Sequence, residues 1–267
     1  MRTWLVCGLV VCLGGGVVAA PKGAGKKGGK TDLAPMIAAL EGSDDEAAAK
    51  AAESLGNLVE PAAHEALLDA LAFGLRPPVA VEAIIGLAKH PAPPDVASLK
   101  RYAGHHNPSV RGTAFASLAL YPDPAAHAVV VTGLRDAVSA VRTAAAQAAA
   151  KGHVREATES LFELLARGED SSVRALAAMA DAELVRRIGD QLGKVPDAAL
   201  AQCLGLVLKR PDFGPDTARV DVVRAIAKIQ DASATNALQD YIDSTPKNPP
   251  RQSRAEAEKI IEARGGK

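Results

Sequence analysis

The chain has 267 residues, 48% of them drawn from AVILMFWYC but only 3% aromatic, so its apolar content is carried by Ala, Leu and Val. That supply is ample for a large core, and the absence of long β-branched or aromatic alternation argues for helices over a β-sandwich or barrel. Basic and acidic residues balance at 31 each, which removes the electrostatic case for nucleic acid or an anionic membrane as partner.

From the N-terminus, Arg2 precedes an apolar run from Trp4 to Ala20 that ends in Val17-Val18-Ala19-Ala20. This order of charge, apolar stretch and small residues predicts a secretory signal over 1–20, cut after Ala19 or Ala20. A retained span needs ~20 apolar residues, whereas this run has 17, interrupted by Gly8, Gly14, Gly15 and Gly16. Cys12 raises lipid attachment as an alternative, although Val11 stands where known bacterial lipoproteins have a small residue. Residues 21–30, PKGAGKKGGK, have no apolar period and predict a flexible Gly/Lys tether.

The stretch Ala24-Gly25-Lys26-Lys27-Gly28-Gly29-Lys30-Thr31 nearly reproduces a phosphate-binding loop, with Lys30 and Thr31 in the phosphate and magnesium positions and Ala24 in place of the first Gly. Such a loop must follow a strand. None is predicted here, and Gly/Lys low-complexity sequence produces the pattern readily.

From residue 31 the chain repeats itself. Val79, Val110, Val141 and Val173 follow one another at 31, 31 and 32 residues, and a further copy starts near Ala47. Four places on stand Ala51, Ala83, Ala114, Ala145 and Ala177, small residues that let two helices approach closely. Twenty places on stand Leu67, Leu99, Val130 and Leu161, followed four further by Leu71, Ala103, Leu134 and Leu165, the inward face of a second helix. Glu60-Pro61, His90 to Pro94 and Tyr121 to Pro124 mark the turns between the halves. Ser43-Asp44-Asp45-Glu46 reads as a capping box, and Asn107-Pro108 as an N-cap followed by a good first helical residue.

The fold class that follows is an all-α solenoid of about five to six stacked antiparallel helical hairpins over residues 31–244, with a C-terminal loop and capping helix over 245–267. Leu33 to Leu40 reads as a lone second helix capping the start. Ser253 to Arg264 reads as a polar helix opened by Ser253-x-x-Glu256 and closed by Gly265-Gly266.

The unit resembles a HEAT repeat in the short form of bacterial phycobilisome-lyase-type proteins. The resemblance rests on NPSVRGTAFASLALYPDPAAHAVVVTGL at 107–134, AESLGNLVEPAAHEALLDAL at 52–71 and ARVDVVRAIAKIQDASATNALQDYI at 218–242, and covers about residues 33–244. It departs at Ala80, where the unit has Arg, and across the irregular residues 182–217. The resemblance implies a surface of second helices that holds proteins or peptides. It also implies that Arg111, Arg142, Arg174 and Arg219 form a ladder meeting acids at the turns, with Asp123, Asp136 and Asp170 as the candidates; an anion-binding strip is the functional alternative.

Because some HEAT-like hydroxylases hold di-iron with His-Glu dyads, His64-Glu65 is a candidate, but it stands alone, and Leu68 occupies the place a zinc helix would need for its second His. His64 and His127 share a register position two units apart, about 20 Å, too far to bridge one ion. His90 and His153 are separated likewise. His105-His106 could hold one ion only weakly, since a site needs three or four ligands. Cys203, the one cysteine outside the signal, reads as a small buried hydrophobe.

The sequence thus predicts an exported, periplasmic or secreted scaffold that binds a protein or peptide. No catalytic, cofactor or metal residue, no nucleic-acid partner and no stable membrane span after signal removal are expected. A HEAT-like enzyme, hydroxylase or chromophore lyase, and a lipid-anchored envelope assembly factor are the alternatives.

Overall fold

The computed structural model describes residues 32–265, and within them it holds fifteen α-helices, one short 3-10 turn and no strand. The signal peptide, the tether, the loop-like pattern at 24–31 and Gly266 lie outside the described residues. The helices are α1 (Ala34–Leu40), α2 (Asp45–Gly56), α3 (Pro61–Phe73), α4 (Pro77–Lys89), α5 (Asp95–Ala103), α6 (Pro108–Leu118), α7 (Pro124–Gly133), α8 (Ser139–Lys151), α9 (Thr158–Ala166), α10 (Asp170–Met179), α11 (Ala182–Gly189), α12 (Asp197–Lys209), α13 (Asp216–Ala227), α14 (Ala232–Ser244) and α15 (Gln252–Gly265). None of them is long and apolar enough to cross a membrane.

Local sequence sets the boundaries. Pro61, Pro77, Pro108 and Pro124 open α3, α4, α6 and α7, where a missing N–H costs nothing because that group has no intrahelical partner. Asn107 Oδ1 accepts from Ser109 N at 2.9 Å and Asp123 Oδ1 from Ala125 N at 2.8 Å, capping α6 and α7. At α2 the cap falls one residue later than the capping box places it. Asp44, not Ser43, is extended and accepts from Glu46 N and Ala47 N.

The helices alternate between two layers. Even-numbered helices from α2 to α14 pack each against the next in a continuous first layer, while α3, α5 and α7, and then α11, α13 and α15, meet in the second. The register residues behave as their spacing dictates. Val79, Val110, Val141 and Val173 are buried, as are all five small residues four places on, and the Leu and Val positions of the second helices close the core between layers. Division of labour follows from size: Ala and Gly in the first layer allow close approach, and each fully buried Leu contributes roughly 1.5–3 kcal/mol of apolar burial.

Backbones of α2 and α4 come into close contact, and a Cβ placed on Gly56 would lie 2.3 Å from Gly86 Cα. Gly112 on α6 faces Ala144 of α8, and Gly205 on α12 faces Ala237 of α14, in the same manner.

Six hairpins, from α2–α3 to α12–α13, follow α1 within the described part of 31–244, in line with the five to six expected there, and α14 pairs with the C-terminal α15. The register shifts in 182–217. Here α11 is only 8 residues long, and α12, which lacks the Val-Arg start, is apolar enough to bury Leu200, Ala201, Cys203, Leu204, Gly205, Val207 and Leu208. By packing on both α10 and α14, α12 takes a first-layer place and puts α13, which carries the next Val-Arg-like start, into the second layer. At the C-terminal end, Ser253 lies inside α15 and does not cap it as the Ser253-x-x-Glu256 spacing predicts. Ser253 N and Oγ both donate to Asp216 of α13, and Tyr241 Oη lies 2.6 Å from Ser253 Oγ.

Replacing Gly56 with Ala forces α2 and α4 apart, and a loss of about 1–3 kcal/mol is expected in urea unfolding. Gly189→Ala is the contrast, since its Cβ would come no closer than 3.8 Å to Ala225 Cβ and helix propensity favours Ala.

Candidate functional site

Three sets of polar side chains stand out from the Ala/Leu background: the arginine ladder, a buried His–Asp–Tyr cluster, and a groove across the first layer. The ladder is real but partial. Arg111 Nε donates to Asp136 Oδ2 at 2.8 Å and Nη2 to Oδ1 at 2.9 Å, a bidentate pair joining α6 to the loop before α8. Its Nη1 donates back to the carbonyls of His105 and His106. Asp136 also accepts from Val138 N at 2.8 Å. The Arg111 hydrogen bond is the main reason the Asp136 carboxyl sits below the usual carboxylate range.

Arg142 repeats the geometry one unit on, with Glu169 as its acid and the carbonyls of Asp136 and Ala137 behind it. Arg219 keeps only the backbone half, donating to the carbonyls of Gly214 and Arg210 while buried at 7% exposure. Of the three acids expected to meet the ladder, only Asp136 does. Asp123 is a helix cap, and Glu169 takes the place expected for Asp170. Arg174 is exposed and joins neither acid nor carbonyl among the described residues.

Other arginines cap helix C-termini, where carbonyls lack intrahelical donors. Arg101 reaches the carbonyls of Leu71 and Ala72, Arg210 those of Ala177 and Ala180, Arg254 those of Ile242 and Thr245, and Arg264 those of Ala227 and Ile229. In the unit where Ala80 replaces the ladder Arg, Arg76 donates to the carbonyls of Gly42 and Ser43 and pairs with Asp45 at 2.6 Å.

The His–Asp–Tyr cluster spans three consecutive units. Asp95 is fully buried, and its carboxyl group meets three partners. Ala92 N donates to Oδ2 at 2.9 Å, Tyr121 Oη donates to Oδ2 at 2.7 Å, and His64 Nε2 lies 2.7 Å from Oδ1. Burial, reinforced by Asp95, drives the Tyr121 phenol far above its ordinary range, so Tyr121 acts as a donor and not as an acid. His64 therefore turns away from Glu65, which is exposed, and serves the contact between units. His127, its counterpart two units on, makes a looser pair with Glu156 at 3.5 Å.

His105 Nδ1 accepts from Asn107 N at 3.0 Å and its ring stacks on Tyr102, with His106 4.2 Å away between centroids. Burial first, then the His106 and Arg111 charges, lower its basicity. Among the described residues no group of three or more His, Cys, Asp and Glu side chains is placed to hold a metal ion. Cys203 is fully buried, and its thiol is pushed up to about 12 by burial, as befits a packed hydrophobe.

A groove of about 830 Å³ crosses α8, α10 and α12, floored by Ala150, Ala175 and Leu206 and edged by Lys151, Arg174 and Asp212. It lies on first-layer helices, not on the second-helix surface to which the resemblance points. The sequence does carry a sign of it. Arg111 and Arg142 find their acids 25 and 27 residues on, whereas 25 to 27 residues beyond Arg174 stand Ala199, Leu200 and Ala201.

Two substitutions check these assignments. Asp136→Asn is expected to lower stability at neutral pH by about 2 kcal/mol. Because the folded Asp136 carboxyl titrates below its ordinary 3.8, its contribution is present above that value and lost as pH falls through the depressed one, so the variant should show a shallower acid limb in urea midpoints measured across pH. Tyr121→Phe removes one donor from a buried carboxyl group and should cost about 1–3 kcal/mol, with His64 and Ala92 left as partners.

The family model for HEAT repeats matches residues 65–150 and again 97–182. No curated protein matches the sequence. Among solved structures, the complex of CpcE and CpcF of phycocyanin lyase from Nostoc sp. PCC7120 is similar at 18% identity and a TM-score of 0.46, over 92% of this chain and 99% of that one. The karyopherin Kap121p is similar at 16% identity and 0.48, over 85% of this chain but only 28% of its own length. An engineered protein reaches 23% identity and 0.38, over 88% and 72%. With the repeated unit, the two-layer stack and the family match in agreement, residues 65–182 of this chain are HEAT repeats.

Proposed function

We propose that the protein is an exported, non-catalytic scaffold that binds a protein or peptide partner on the surface of its solenoid. The observation that carries this reading is the groove across α8, α10 and α12, an extended concavity shaped by three successive units. Such a surface suits a chain segment, since adjacent repeats present many side chains in fixed register. The polar clusters support the same reading. Arg111–Asp136, Arg142–Glu169 and His64–Asp95–Tyr121 are engaged with one another between units. Export rests on Arg2 and the apolar run Trp4 to Ala20.

The test is affinity capture with the tagged mature chain from the envelope fraction of its own cells, with mass spectrometry of both the captured protein and the mature N-terminus. One partner recovered in near-equal amount, with a chain beginning at Ala20 or Pro21, is expected. A chain beginning at Cys12 would replace the soluble scaffold with a lipid-anchored factor. Iron or a coloured cofactor retained through purification would replace it with an enzyme.

A further inference from the structure

The ladder arginines raise a question of supply and use. Arg111 and Arg142 each have a bidentate acid and two carbonyls, yet Arg174, at the same register position on α10, has neither. The carbonyls of Ala177 and Ala180 at the end of its helix are already taken by Arg210, which also neutralises Asp212 at 2.6 Å. Arg174 and the exposed Lys151, in the last turn of α8, thus line the groove without a hydrogen-bond or ion-pair partner among the described residues. Ser171 Oγ, also lining the groove, is buried with no hydrogen-bond partner. Between these groups the floor is apolar, and Leu206 is 36% exposed.

We propose that the groove between α8, α10 and α12 docks an acidic peptide segment of a partner protein, with Arg174 and Lys151 reading its carboxylates and the Ala and Leu floor receiving its apolar side chains. The proposal rests on the scaffold reading and names the chemistry of its partner. A guanidinium free of partners among the described residues fits a carboxylate bidentately. Charge selects among occupants. The chain's own Gly/Lys tether carries Lys22, Lys26, Lys27 and Lys30 and would meet like charge. Nucleic acid would find few apolar matches for the Ala and Leu floor along its phosphate backbone, and the balanced net charge gives it no long-range attraction. A peptide with spaced carboxylates and apolar residues between them matches both the cations and the floor.

The experiment uses the full mature chain and a fluorescent peptide of about twelve residues repeating Glu-Glu-Leu, followed by anisotropy, with a Lys-Lys-Leu peptide and single-stranded oligothymidine as comparison probes. The Glu peptide is expected to bind in preference to both, more weakly as salt is raised, and about tenfold more weakly to Arg174→Ala or Lys151→Ala. Lys50→Ala, an exposed cation on α2, should leave binding unchanged. Arg174 and Lys151 are exposed, so circular dichroism should show the folded state intact in both variants. Equal binding by Arg174→Ala, or preferential binding of the oligonucleotide, overturns the proposal. If Arg174→Glu still captures the envelope partner at full yield, the scaffold reading stands and the groove is not its docking site. If the Glu peptide binds in an Arg174-dependent way while no envelope partner is captured, the groove stands and the scaffold reading falls.

Discussion

The fold depends on how closely the first-layer helices can approach one another. Gly56 against Gly86, Gly112 against Ala144 and Gly205 against Ala237 bring backbones together at three interfaces, and fully buried alanines such as Ala52, Ala83, Ala114 and Ala145 line the spaces between. Interiors pack at crystal-like density, so an added methyl at such a contact cannot be absorbed locally. The bulk of the apolar burial is then supplied by the second helices, whose Leu67, Leu71, Leu99, Leu134, Leu161 and Leu165 fill the space between layers. A helix pair of this kind cannot bury its own faces, and each unit is completed by the next.

Small residues pack closely but give little directional information, and the polar ties supply it. The pairs Arg111–Asp136 and Arg142–Glu169 each join a helix to the turn that starts the next unit, and their two-pronged geometry fixes orientation as well as distance. Asp95 does the same from the other layer, gathering partners from α3, from its own turn and from Tyr121 in the turn between α6 and α7. Each of these groups is partly or wholly buried, so each is worth more as a satisfied contact than a surface ion pair would be. Once these contacts are filled, the unengaged cations Arg174 and Lys151 face the groove. Structural use and availability for binding divide along the ladder itself.

Much of this was legible in the residues. The 31-residue register placed the buried valines and alanines, and the inward Leu positions of the second helices followed from it, because helical periodicity is local and burial is imposed by the same face in every unit. The turn prolines and the cap at Asn107 were legible for the same reason, whereas Asp123, expected to meet a ladder arginine, caps α7 instead. The capping boxes at Ser43 and Ser253 were not. Whether a Ser caps or lies inside the first turn depends on competing partners, here the carboxylate of Asp44 and the distant Asp216. Nor could the partner of His64 be read, since Asp95 lies 31 residues away and comes to it only when two units stack.

The sequence alone determined the element type, the unit length and the inward face of most helices, since all three follow from spacing along one chain and from the intrinsic preferences of Ala, Leu, Pro and Asn. Tertiary structure decided which layer a helix joins and which charges remain free. The layer of α13 is set by the apolar, unmarked α12 packing between α10 and α14, and the freedom of Arg174 is set by the absence of an acid where the next unit meets it. Both are settled by contact between units, and the missing acid 25 to 27 residues beyond Arg174 becomes a sign only once Arg111 and Arg142 show where their acids stand.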